Sequence, residues 1–150
     1  MHTPNGVNRI PDGPVRRLFA AACRHDLEAM VAEFADDYTN TTPNHHARNF
    51  TGSAQVRANW SALFAGVPDL TLQVHDAAGA PDGKVWVEWA SRGTRRDGAN
   101  VEQAGVAIFT LCADRLSAIR FYLEPVEYES GDVNTAILSV AGPDQAGSRP

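Results

Sequence analysis

The runs "KVWVEWASRG" (84–93), "NVEQAGVAIFTL" (100–111) and "RLSAIRFYLE" (115–124) decide how this chain folds. Each is rich in β-branched, aromatic and alternating apolar residues, the pattern of a strand with one face buried. "LTLQVHD" (70–76) precedes them with the same character. The connectors "AGAPDG", "RRDGA" and "CAD" are short and carry turn-forming residues, so the four strands are expected to run antiparallel as a meander.

Upstream the period changes from two to between three and four. Asp12 and Pro14 mark a helix start, followed by a stripe of Val15, Leu18, Phe19, Ala22 and Cys23. His25 and Asp26 interrupt it, and Asp26 is placed to cap a second stripe of Leu27, Met30, Val31, Phe34 and Ala35. "YTNTT" (38–42) reads as a short strand, with Tyr38, Asn40 and Thr42 on one side. After the loop-like "PNHHARNFTG", Ser53 is expected to cap a third helix striped by Val56, Asn59, Trp60, Leu63 and Phe64 and ended by Gly66. Helices early and strands late predict an α+β fold, with three helices packed on one face of a curved antiparallel sheet.

The chain has 150 residues, enough for one core of its own. The expected organisation is a polar, flexible leader over 1–13, a single domain over 14–129, and a loose tail over 130–150 in which "AILSV" could still dock as a strand or helical turn. No apolar run approaches the roughly 20 residues of a membrane span, and the start has no signal-peptide layout, so the cytosol is the expected compartment. A net charge of -5 argues against a nucleic-acid partner. The pairs Arg16–Arg17 and Arg95–Arg96 read as solvated faces, and Cys23 and Cys112 as free thiols. The histidines lack metal-ligand spacing, and no phosphate loop, nucleotide fingerprint or nucleophile elbow occurs, so neither a metal nor a cofactor is expected.

The order of elements, with "FADDYTN", "SAQVRANWSALFAGVPDL", "VWVEWASRGT", "GVAIFTL" and "LSAIRFYLEP", resembles the SnoaL-like polyketide cyclases of the nuclear transport factor 2-like superfamily. The resemblance spans nearly all of 14–129. It implies a cone in which the sheet curls around an apolar cavity closed by helices, and a homodimer formed through the outer face of the sheet. It does not name the chemistry, because the superfamily includes cyclases, isomerases, dehydratases, epoxide hydrolases and non-catalytic carriers.

The Tyr-x-Asn spacing of Tyr38 and Asn40 is similar to that of limonene epoxide hydrolases, where the pair helps hold a water. Other parts of that site do not carry over: Trp89 and Ser91 stand where an inward Arg and Asp belong. Phe121 stands where both those hydrolases and the SnoaL-type aldol cyclases present an Asp. If Phe121 faces the cavity, so do Ile119 and Leu123, while Arg120, Tyr122 and Glu124 face outward. Only a twist, a bulge or the bend before Pro125 turns Glu124 back toward the mouth. Glu88 and Trp86 fall on the outer face in this register, with Glu88 and Arg120 as candidate cross-strand partners.

Three readings follow. The leading one is a cofactor-independent cyclase or isomerase acting by proton transfer on a hydrophobic, polyketide-like molecule, with Tyr38 and Asn40 polarising an oxygen and Glu124 as acid or base. Asn59, Trp60, Phe64, Trp89, Ser91, Phe121 and Leu123 then form the substrate pocket. The second is a binding or accessory protein with the same cavity, and the third an epoxide hydrolase. A cavity free of carboxylate and imidazole separates the second from the first.

Overall fold

The computed structural model describes residues 4–143. The meander is present as β3 (Thr71–Gly79), β4 (Val85–Thr94), β5 (Asn100–Cys112) and β6 (Arg115–Pro125), each antiparallel to the next. Its hairpins close as the connectors predict. Asp82 accepts the Lys84 backbone N–H and Asp97 that of Ala99, while Gly83 and Gly98 supply the positive φ that each turn needs.

Two further strands complete the sheet, β1 (Phe34–Thr41) and the two-residue β2 (Phe50–Thr51). The order is β2, β1, β6, β5, β4, β3, and β1 joins β6 in parallel, with Asn40 opposite Ile119. The sheet is therefore mixed at one junction. A parallel neighbour needs a long crossover, and everything between β1 and β6 provides it.

The helices are α1 (Pro14–Cys23), α2 (Leu27–Val31), α3 (Ser53–Gly66) and α4 (Val133–Ala141). The first three pack with the curved sheet as an α+β cone. Pro14 opens α1, and Asp26 caps α2 by accepting the Ala29 N–H. The α2 stripe is shorter than its sequence suggests. The helix stops at Val31, and Phe34 reaches the core from the first position of β1, where Glu33 accepts the Leu116 N–H of β6. Nor does Ser53 cap α3: the cap position is Gly52, without a side-chain hydrogen bond, and Ser53 is the first helical residue.

The expected leader is corrected over its described part. Residues 4–9 form a 3₁₀ turn, and Val7 and Ile10 are buried in the core with Val15, Phe19, Val74 and Phe109. Gly6 lies so close to β3 that an added Cβ would meet the Val74 carbonyl oxygen at 2.3 Å. The "AILSV" segment forms α4 but does not dock: Val133, Ile137, Leu138 and Val140 are all exposed.

Strand register follows the alternation. Val87, Ala107 and Phe121 lie side by side, as do Trp89, Gly105 and Leu123, and these rows face inward; Trp86, Ile108 and Arg120 form an outer row, as do Glu88, Val106 and Tyr122. The expected Glu88–Arg120 pair is absent because β5 separates the two strands. Gly105 is required where it stands: a Cβ there would sit 1.8 Å from the Tyr122 carbonyl oxygen.

Candidate small-molecule cavity

Between the inner face of the sheet and helices α1 and α3 lies a cavity of about 810 Å³. Phe19, Met30, Phe34, Leu72, Trp89 and Phe109 form its apolar depth. Alternation along β1 sends Tyr38 and Asn40 into the same space, both buried. The Tyr38 ring is held edge-on by Phe34 and Phe50, with centroids 4.8 and 6.0 Å away, and its hydroxyl donates to Asn40 Oδ1 over 2.9 Å. Burial raises the Tyr38 pKa, so this phenol stays neutral and acts as a donor.

Asn40 is fixed by that bond. Its Oδ1 is occupied, and its Nδ2 has no partner among the described residues, nor is it sealed off like Trp89 Nε1. The Trp89 indole is packed edge to face with Phe19 at 5.4 Å, and its N–H is buried without an acceptor. Bulk at the cavity base is thus gained at the cost of one unpaired donor.

The mouth is built by the segment after β1. Asn49 Oδ1 accepts the Thr42 backbone N–H at 2.7 Å, closing the loop on itself and holding Arg48 beside the opening. Gln55, Asn59, Trp60 and Leu63 line the opposite side from α3, which buries only Val56. Part of that exposure has a simple cause: Gln55, Asn59, Ala62 and Leu63 look into the cavity, while Trp60 and Phe64 pack at the edge of the core.

Most of the expected pocket residues meet here: Tyr38, Asn40, Asn59, Trp60, Trp89, Ser91, Phe121 and Leu123 all line the cavity. Two do not. Phe64 turns away and stacks on His25 at 4.2 Å, while the His25 imidazole bonds the Leu70 carbonyl at 2.7 Å. Glu124 stays on the outward side of β6, where its Oε1 meets His45 Nε2 at 2.7 Å beside the mouth. No bend at Pro125 brings it inside; β6 keeps its pairing with β5 through Pro125 opposite Gln103.

Thr42 lines the cavity from the strand face it shares with Tyr38 and Asn40, and Arg48, Asn49, Gln55 and Gln103 line it without a signal read from the sequence. Gln103 was accessible to register reasoning, since it stands directly opposite Ser91. Arg48 and Asn49 lie in an irregular loop with no periodicity from which a direction can be read. Among the described lining residues there is no Asp, Glu, His, Lys or Cys, and Arg48 is the sole charged side chain.

Comparison with known proteins agrees with this architecture. A Mycobacterium tuberculosis protein, Rv0034, itself uncharacterised, is 30% identical over 120 residues, covering 77% of this chain and 91% of its own. Among solved structures, RV0760c of the same species, crystallised with estradiol-17beta-hemisuccinate, is similar at a TM-score of 0.64 and 18% identity, covering 73% of this chain and 89% of that one. SalBIII, an epoxide hydrolase/cyclase-like enzyme of pyran ring formation in the polyether salinomycin, is similar at a TM-score of 0.64 and 19% identity, covering 75% and 88%. At those identities the two structures speak for the fold alone. Residues 15–119 match the SnoaL-like domain, and the chain belongs to that family, with a nuclear transport factor 2-like fold.

Proposed function

We propose that this protein binds an apolar, ring-containing small molecule in its cavity and holds it by hydrogen-bond donation, without a buried acid or base. One observation carries the reading: a cavity of about 810 Å³ whose described lining includes no carboxylate and no imidazole. Its size lies within the range of small-molecule sites. Phe121 occupies the inward position where the resemblance places a catalytic Asp. The ring-containing ligand of RV0760c and the polyether substrate context of SalBIII are in keeping with an apolar cyclic guest.

Cyclisation or isomerisation by proton transfer is the second reading, and the His45–Glu124 pair favours it. The pair is a potential proton carrier beside the mouth. It requires a substrate that leaves its reacting atom at the rim while its body fills the depth.

Titration with N-phenyl-1-naphthylamine, a neutral fluorophore that brightens in apolar surroundings, tests the binding reading. Saturable enhancement at one site per chain is expected, with strong loss in Leu123→Trp, which fills the cavity from β6. Absence of enhancement, or enhancement indifferent to that substitution in a folded variant, overturns it.

A further inference from the structure

The polar side chains around the cavity are biased toward one role. In each lining asparagine the acceptor oxygen is already used by the protein: Asn40 Oδ1 by Tyr38, Asn49 Oδ1 by the Thr42 backbone, and Asn59 Oδ1 by Gln55 Nε2 at 2.8 Å. For Asn49 the orientation is dictated, because a backbone N–H can only donate. Their Nδ2 groups have no partner among the described residues, so each keeps both N–H donors for a guest while its oxygen is already partly used. The hydroxyls of Thr42 and Ser91 serve either role, and acceptor oxygens remain on Gln55 and Gln103.

Arg48 adds a cation to these donors. It lies at the mouth beside Asn49, and its guanidinium has no ion pair or hydrogen bond among the described residues, although most arginines of the chain have one. Glu124, on the outward side of β6, is engaged by His45 instead. A free guanidinium over an acid-free cavity favours a planar anion, which it can bind through two parallel hydrogen bonds.

We infer that the guest of this cavity carries a carboxylate, seated at the mouth on Arg48 with the amide N–H of the adjacent Asn49 to assist, while its apolar ring body fills the depth beneath Asn40. The inference rests on the binding reading above and narrows it from apolar molecules in general to apolar acids. Orientation follows from the same layout. The charged end stays where water can still reach it, and the rings are desolvated among Phe19, Leu72, Trp89 and Phe109.

The test uses a matched pair, 1-naphthaleneacetate and 1-naphthaleneacetamide, which share a ring system and a carbonyl and differ in charge. Each displaces N-phenyl-1-naphthylamine from the full-length protein at neutral pH and low salt. The acid is expected to displace at roughly fivefold lower concentration than the amide, the scale of a partly exposed ion pair. That advantage disappears in Arg48→Gln, returns in part in Arg48→Lys, and persists in Arg120→Gln, which removes a charge from the outer face. Equal displacement by acid and amide in the unaltered protein overturns the carboxylate assignment and leaves the binding reading standing. An acid preference that survives Arg48→Gln overturns the seat on Arg48. Failure of the neutral fluorophore to bind at all removes both readings together.

Discussion

Tyr38 and Asn40 are two neutral side chains whose single shared hydrogen bond orients the cavity. Tyr38→Phe removes the donor to Asn40 and is expected to cost about 1 kcal/mol at neutral pH, read from urea denaturation. The cost has a pH signature. Burial holds the phenol pKa above its ordinary 10.0, so the unfolded chain ionises first and the folded protein loses stability as pH rises beyond 10. That loss runs at up to about 1.4 kcal/mol per pH unit, and Tyr38→Phe eliminates the component, so the two stability curves converge as alkali is added. Parallel curves refute the assignment. Gly105 is a second residue with a sharp expectation. With a Cβ 1.8 Å from the Tyr122 carbonyl oxygen, Gly105→Ala must push β5 from β6, and a loss of about 3 kcal/mol or more in the same assay is expected. The alternation exposed Phe121 and Leu123 as inward residues and Tyr38 with Asn40 as a pair. It was silent on Arg48 and Asn49, because loop residues have no period from which a direction can be read.

At the level of elements, α3 differs from the strands it covers. Its inward side chains border open space, its one buried residue is Val56, and its cap position is a glycine without a side-chain bond. Few buried contacts make for inexpensive local opening. Amides of α3 are expected to exchange with deuterium well before those of β4 and β5, and to slow when N-phenyl-1-naphthylamine is bound. Equal protection of helix and strands in the free protein contradicts this picture. Sequence periodicity located α3 to within a residue because its stripe is helical whether it meets side chains or a guest. Phe34 was misplaced for the converse reason: an apolar residue four positions past Met30 continues a helical stripe, and only the pairing of Glu33 with Leu116 reveals a strand there. The leader misled through composition. Its polar, Gly- and Pro-rich letters outweighed Val7 and Ile10, whose burial depends on β3 far along the chain.

For the molecule as a whole, the outer face of the sheet presents Trp86 and Tyr122, 45% and 37% exposed, over Val106 and Ile108. Exposed aromatics on a sheet face mark an association surface. The expected outcome is a dimer through this face, and Trp86→Arg with Tyr122→Arg should sediment as a monomer while still binding the fluorophore. A monomeric parent protein overturns this. The α+β class and meander were legible because hairpins are local, each turn lying between the strands it joins. The parallel seam between β1 and β6 was not, since its partners are separated by most of the chain. That seam also sets a schedule for synthesis. As the chain leaves the ribosome, β1 emerges early and must wait, its edge unpaired and its Tyr38 and Asn40 uncovered, until β6 arrives near the end. The cavity is therefore among the last features to close, and a ribosome stalled before residue 115 carries a chain that lacks Ile119, Phe121 and Leu123 and the strand that joins β1 to the meander.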